Sequence, residues 1–142
     1  MQTRAAPNKV LRRALVPLAF FCLCFIAGAA RADEIQDANK HLKAGQHREA
    51  LAAVNKALAA KPRDPQARFL KGLILTEQGN TREAIDIFTR LTQDFPDLPE
   101  PYNNLAVIYA AQGQYEKARA TLEQSIRTHP SYATAYENLG DV

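Results

Sequence analysis

Histidine and serine are common choices for acid–base and nucleophilic catalysis, and few of them occur after residue 32. That part of the chain contains three histidines and two serines: His41, His47, His129, Ser125 and Ser131. His41 and His47 have a glycine turn between them and do not show the i, i+4 spacing of a helical metal pair. Neither serine lies in a nucleophile-elbow motif. We therefore expect the histidines to cap helices or face solvent, and we predict no catalytic residue.

Other kinds of site are also poorly supported. Asp94, Asp97 and Glu100 form a small acidic group that could bind a cation, although a solvated rim is the favoured interpretation. The glycines are solitary, so no phosphate-binding loop is predicted. The two cysteines, Cys22 and Cys24, are too few for a four-cysteine zinc site. The sequence therefore predicts no metal and no cofactor, and it favours a protein that is not an enzyme.

The segment 1–32 has the order of a secretory signal. A basic stretch precedes the uncharged segment 14–30, and Ala30 and Ala32 occupy the −3 and −1 positions of a cleavage site before Asp33. An uncleaved transmembrane anchor is the alternative, because the uncharged segment lies at the lower limit of length for a span. Cleavage would remove both cysteines. We expect an exported, periplasmic protein of a Gram-negative bacterium that meets the membrane only through this signal.

The net charge of +3 comes from the same segment. Segment 1–32 carries five basic groups and no acidic one, whereas the rest of the chain has 13 Lys and Arg against 15 Asp and Glu. The chain from Asp33 onward is therefore slightly acidic and shows no basic stripe. Because nucleic-acid affinity depends on neutralising phosphates, we predict no nucleic-acid partner.

After residue 32 the sequence repeats with a fixed period of thirty-four. The repeat is visible in small residues, in prolines and in large apolar residues. The series are Gly45, Gly79 and Gly113; Ala50, Ala84 and Ala118; Pro62, Pro96 and Pro130; Ala38, Gly72, Ala106 and Gly140; and Val54, Phe88 and Leu122. A fixed period of this length indicates a repeat architecture.

Each unit predicts a helix, a tight turn and a second helix. Glycine favours the left-handed conformation that ends a helix, and proline stops the second helix. The second helices are predicted at roughly 47–60, 81–94 and 115–128. Asp64 is predicted to cap a helix that starts at Pro65. Isolated helices of this length are only marginally stable in water, so the helices must be stabilised by packing on their neighbours. The small residues allow neighbouring helices to pack closely. The predicted fold is an all-α solenoid of helix-turn-helix units.

This pattern resembles the tetratricopeptide repeat (TPR). The third unit matches best, the second matches well and the first, with His41 at an apolar position, is weaker. The matching residues are Tyr102, Leu105, Ala106, Tyr109, Gly113, Tyr115, Ala118, Leu122 and Pro130 in the third unit, and Gly72, Leu75, Gly79, Ala84, Phe88 and Pro96 in the second. The predicted organisation is a signal at 1–32 and a repeat domain at 33–142, with repeats at about 31–64, 65–98 and 99–132 and a truncated fourth at 133–142. We expect either a longer natural protein or an exposed last helix that docks on a partner chain.

The resemblance implies a binding groove lined by the first helix of each unit. Carried onto this sequence, the groove positions are Ile35, Asn39, Leu42 and Lys43; Gln66, Phe69, Leu73, Thr76 and Glu77; and Glu100, Asn103, Val107, Ala110 and Ala111. Asn39 and Asn103 could hydrogen-bond a peptide backbone, and Leu42, Phe69 and Val107 could receive apolar side chains. The alternative is that some of these residues contact neighbouring segments of a longer solenoid.

Repeats of this family that grip a carboxylate terminus use Lys or Arg at positions held here by Ile35, Phe69 and Asn103. The missing cations make an acidic C-terminal tail a poor groove ligand. The predicted function is therefore an exported scaffold or adaptor that binds a peptide or protein partner, with cell-envelope assembly as the candidate process. The alternatives are a localisation module of a longer envelope enzyme and a passive spacer.

Overall fold

The computed structural model describes residues 34–142, and this part of the chain is all-helical. Seven helices follow one another along it. They are α1 (34–43), α2 (His47–Ala60), α3 (Pro65–Glu77), α4 (Thr81–Asp94), α5 (Pro99–Ala111), α6 (Tyr115–Thr128) and α7 (Ala133–Gly140). Consecutive helices from α2 onward pack against each other, and α5 also contacts α7. The predicted stack of helix-turn-helix units is confirmed, and the three second helices have the predicted bounds.

Each second helix ends at the same point of the repeat. Lys61, Phe95 and His129 follow α2, α4 and α6, and their φ angles are −141°, −137° and −136°. A proline comes next in all three cases. Because the proline ring disfavours helical geometry in the residue before it, the chain turns extended there, and the helix stops.

The turn inside each unit depends on a glycine. Gly79 has a φ of +77°, a conformation that is costly for residues with a Cβ. Its amide donates to the Thr76 carbonyl (3.0 Å), and the Asn80 amide donates to the Leu75 carbonyl (2.8 Å). These two bonds satisfy carbonyl groups at the end of α3. Gly45 and Gly113 have the same sign of φ, at 69° and 73°, so the predicted turn recurs.

Asp64 caps α3 as predicted. Its Oδ1 accepts a hydrogen bond from the Ala67 amide (3.1 Å), and Pro65 is the first residue of the helix. The cap satisfies one of the free amide groups at the helix start.

Two apolar clusters hold the stack together. One joins α1, α2 and α3 around Val54 and Ile74, and the other joins α3 to α7 around Phe88, Leu91 and Leu122. Since α3 contributes residues to both clusters, neither cluster can become exposed to solvent without disturbing this helix. Burial between neighbouring helices is therefore the main stabilising term, as expected for a solenoid.

The small residues of the first helices differ in what they contact. Ala38, Gly72 and Ala106 are buried, and a Cβ on Gly72 would lie 2.6 Å from two ring carbons of Phe88. Gly140 is exposed, and a Cβ there would meet nothing within 4 Å. The predicted packing role is confirmed for the first three residues, whereas Gly140 contacts no second helix within residues 34–142.

The predicted signal at residues 1–32 lies outside the described residues. Within residues 34–142, no helix combines the length and the apolar character needed to cross a membrane.

Candidate functional site

The predicted groove residues of α3 form a stripe along the helix. Gln66, Phe69, Leu73 and Thr76 follow one another at intervals of three or four, which places them on one face. Gln66 is exposed and the other three are half-buried. Near the start of this stripe lies a depression of about 250 Å³, the Phe69 depression. Its lining consists of Pro65, Gln66, Phe69, Leu98, Glu100 and Pro101.

The Phe69 ring is held by the core. It lies 5.6 Å from the Phe88 ring, centroid to centroid, at an angle of 59° between the planes. This is a tilted aromatic pair, a geometry that stabilises both rings. Because Phe88 is fully buried, it restrains Phe69 from below, while Phe69 also lines the depression. The site therefore has a preformed apolar floor.

Glu100 is the one charged residue in this lining. Partial burial and then the Glu100 charge raise the pKa of the Tyr132 phenol, although a hydrogen bond with Thr134 opposes the shift. Partial burial and the Asp97 charge likewise raise the pKa of Tyr102. The carboxylates of Asp97 and Glu100 therefore lie near two tyrosines, and Glu100 also lines the apolar depression.

Asn103 is buried, with 7% of its surface exposed. Its Oδ1 accepts a hydrogen bond of 2.7 Å from Nδ2 of Asn138 on α7. The bond joins α5 to α7 across the stack. The Asn103 oxygen therefore contacts a neighbouring helix, and the predicted hydrogen bond from Asn103 to a peptide backbone remains a prediction.

The groove residues of the first unit lie apart from the Phe69 depression. Asn39 donates from Nδ2 to the Ile35 carbonyl of its own helix (3.0 Å). Ile35 and Leu42 pack against the cluster shared by α1, α2 and α3, and Lys43 is exposed. Their predicted contact with a ligand remains a prediction.

Of the remaining groove residues, Leu73, Thr76 and Glu77 contact the protein itself, whereas Val107 is exposed. Leu73 packs on the larger cluster, and Thr76 donates to the Gly72 carbonyl (2.9 Å). Glu77 lies 3.5 Å from Nδ1 of His47 and so faces α2. Val107 is 48% exposed and borders a second depression of about 130 Å³. That lining comprises Ala106, Val107, Ala110, Leu122, Asn138, Asp141 and Val142.

Three of the five residues considered for catalysis have an identifiable structural position or contact. Ser125 is buried and donates to the Pro99 carbonyl (3.1 Å), which ties α6 to the start of α5. His129 occupies the C-cap position of α6, and His41 Nδ1 lies 2.6 Å from the Gln46 side-chain oxygen. Across residues 34–142, no group of three or more His, Cys, Asp or Glu side chains could hold a metal ion.

Three lining residues of the Phe69 depression were not predicted: Pro65, Leu98 and Pro101. The period contained the signal for them. Gln66 and Glu100 differ in position by one full period, so they are equivalent residues on adjacent first helices. The depression forms where those two helix starts meet. Residues at the same phase of neighbouring repeats could therefore have been grouped from the sequence.

Two family models described as tetratricopeptide repeat match this chain. One covers residues 36–99 and the other covers residues 75–139. The chain belongs to the tetratricopeptide-repeat family. Both matches fall on the helix pairs described above, and domains of this family in general act as scaffolds that bind peptides or proteins.

Curated relatives contain similar repeats within much longer chains. The chain is 34% identical over 103 residues to mouse protein O-mannosyl-transferase TMTC1, which covers 70% of this chain and 11% of the relative. It is 30% identical over 99 residues to the probable biofilm formation methyltransferase WspC of Pseudomonas aeruginosa, covering 70% and 24%. The match therefore spans at most about a quarter of either relative.

Solved TPR structures have the same arrangement of helices. YrrB, described as a TPR protein with an unusual peptide-binding site, aligns with a TM-score of 0.69 at 27% identity, covering 74% of this chain and 54% of that chain. The first TPR domain of Spaghetti (RPAP3), bound to an HSP90 peptide, aligns with a TM-score of 0.71 at 17% identity, covering 80% and 90%. The second likeness concerns the fold alone.

Proposed function

We propose that this TPR protein is an exported scaffold or adaptor that binds a peptide or protein partner along its first-helix face, in cell-envelope assembly. Its role is binding and not catalysis. The observation that carries the proposal is the Phe69 depression, where an aromatic ring, two prolines and a leucine form an open apolar surface. Extended peptides bind such surfaces by inserting alternate side chains. YrrB, a TPR protein described as having an unusual peptide-binding site, supports peptide binding in general.

The binding test compares two exchanges of an aromatic residue. Phe69→Glu places a charge in the Phe69 depression, whereas Tyr115→Glu changes an aromatic residue on α6 that is 56% exposed and lies outside both first-helix depressions. Peptides selected from a random array with the wild-type protein supply the ligands. We expect Phe69→Glu to weaken their binding by about 30-fold, because central aromatic contacts dominate such interfaces, and Tyr115→Glu to change it by less than twofold.

Because Phe69 also contacts Phe88, the folding of the variant needs its own measurement. Circular dichroism reports helix content, and Glu100→Lys provides a second variant at an exposed position of the same depression. Glu100→Lys should change which charged peptides bind. Equal capture by wild type and by a folded Phe69→Glu variant would contradict the groove proposal.

Export is the second part of the proposal, and it rests on the order of residues 1–33. Expression of the full chain in a Gram-negative host should yield a periplasmic product that begins at Asp33. Ala32→Arg should block this cleavage, since the −1 position requires a small residue. N-terminal sequencing of fractionated cells gives the result. A full-length product in the membrane fraction would support the anchor alternative.

A second candidate function is a localisation module of a longer envelope enzyme. The observation in its favour is that TMTC1 and WspC are named as transferases and match this chain over only 11% and 24% of their lengths. Sequencing the genomic region downstream of the codon for Val142 distinguishes the candidates. An in-frame catalytic domain would favour the module.

A further inference from the structure

Another depression lies apart from the Phe69 depression and shares no lining residue with it. It has a volume of about 330 Å³ and is formed by α2, the α2–α3 loop, α3 and α4. We name it the cationic depression. Its lining consists of Leu58, Pro62, Arg63, Arg68, Lys71, Ile87, Arg90 and Asp94. Arg68 and Lys71 are its least exposed cations, with side chains 13% and 23% exposed.

The lining carries four cations and one carboxylate. Asp94 accepts hydrogen bonds from Arg68 (2.6 Å) and Arg63 (3.3 Å). Lys71 Nζ lies 3.8 Å from a carboxylate oxygen of Glu83, which is outside the lining. Arg90 forms no ion pair among residues 34–142. Positive charge therefore exceeds negative charge in the depression.

Arg68 is positioned to bind an anion. Asp94 holds one nitrogen of its guanidinium group, and the Arg68 hydrogen bond keeps the pKa of Asp94 below its usual value, so the carboxylate stays charged. A guanidinium group has five N–H donors. The only side-chain bond that Arg68 donates within the described chain is the one to Asp94. Its other donors need an acceptor from solvent or from a ligand.

The walls of the depression favour a particular anion. Leu58 and Ile87 are partly buried apolar residues beside the cations. A bare inorganic ion gains nothing from them, whereas the methylene groups of a glutamate side chain can pack on them while its carboxylate reaches a guanidinium. We propose that the cationic depression binds glutamate side chains of an acidic segment in a protein partner. This site is separate from the Phe69 depression and does not depend on the proposed groove function.

The test uses two exposed arginines of α4 as a matched pair. Arg90 lines the cationic depression, whereas Arg82 lies on the same helix and borders a different surface depression. Fluorescence anisotropy measures binding of a short fluorescein-labelled peptide of alternating glutamate and alanine, with a glutamine–alanine peptide as the uncharged probe. We expect wild type to prefer the glutamate peptide. Arg90→Glu should weaken its binding about fivefold to tenfold, and Arg82→Glu less than twofold.

Three further measurements define the outcome. Raising NaCl from about 50 mM to about 200 mM should weaken binding of the glutamate peptide, because salt partly screens the attraction between its carboxylates and the cations of the depression. Phe69→Glu should leave binding unchanged, which separates this site from the groove. The proposal is overturned if the glutamate and glutamine peptides bind equally or not at all. It is also overturned if Arg90→Glu and Arg82→Glu lose the same affinity for the glutamate peptide, or if single-stranded DNA binds more tightly than that peptide.

Discussion

Replacing Gly72 with alanine tests how the second unit is packed. The added Cβ would lie 2.6 Å from Cε1 and Cζ of Phe88, a ring that is fully buried and that also contacts Phe69. Overpacking of a core costs about 1–3 kcal/mol. Alanine in a helix interior gains about 1 kcal/mol over glycine. Since the clash exceeds the gain, we expect Gly72→Ala to lower the free energy of unfolding by about 1 kcal/mol.

The other units indicate how the clash can be relieved. The equivalent pairs are Ala38 with Val54 and Ala106 with Leu122, so alanine occurs where the partner is smaller than phenylalanine. Phe88→Leu removes ring atoms that the new Cβ would meet, at a cost of about 1–2 kcal/mol when made alone. In that background Gly72→Ala should raise stability by about 1 kcal/mol, because only the helix-propensity gain remains.

Urea unfolding of the wild type, both single variants and the double variant gives the coupling energy. Gly72→Ala should destabilise the wild type by about 1 kcal/mol and stabilise the Phe88→Leu variant by about 1 kcal/mol. The expected coupling energy is therefore about 2 kcal/mol, within the usual range for residues in contact. Gly140→Ala is the control, since a Cβ at that member of the same series meets nothing within 4 Å. An identical effect of Gly72→Ala in both backgrounds would refute the packing argument.

Three other changes test separate features. Gly79→Ala forces a Cβ into a φ of +77° in open space, and urea unfolding should show a loss of about 1–2 kcal/mol from backbone strain alone. Ser125→Ala leaves the Pro99 carbonyl without its 3.1 Å donor, which should cost about 1 kcal/mol in the same assay, with the helix content unchanged. The Arg68 hydrogen bond lowers the folded-state pKa of Asp94, so its contribution to stability is present above the unfolded pKa and is lost as the pH falls through the folded value. Between about pH 6 and about pH 2, the Tm of Asp94→Asn should therefore fall less steeply than the Tm of the wild type. Parallel Tm profiles for wild type and variant would contradict the assigned role of the Arg68–Asp94 pair.

The ends of the helices could be predicted from the sequence because their causes are local. Lys61, Phe95 and His129 each precede a proline, and the steric conflict involves only adjacent residues. Gly79 likewise ends α3 through its own backbone freedom. Neither signal needs a distant contact, so the spacing of the repeated prolines and glycines was sufficient to give the bounds of the second helices.

The candidate site was only partly predictable. The family resemblance implied that Gln66 and Phe69 line a groove, and the structure places both in one depression. The resemblance also implied that Asn103 lies in the groove, which remains a prediction, but it did not indicate that the Asn103 amide oxygen accepts a hydrogen bond from Asn138. Helical phase tells which way a side chain points, but it does not tell which neighbouring side chain satisfies it. That depends on the distance and tilt between helices.

For this protein, sequence alone determined the order and length of the repeats, since these follow from steric rules and apolar periods within one unit. The family was indicated by the resemblance of those repeats to a known pattern. Tertiary structure decided that Gly72 is confined by Phe88 while Gly140 is open. It also brought Arg63, Arg68, Lys71 and Arg90, scattered over three elements, around one depression. The physical reason is that close packing and local charge density arise between helices, so they are properties of a spatial arrangement that no single segment contains.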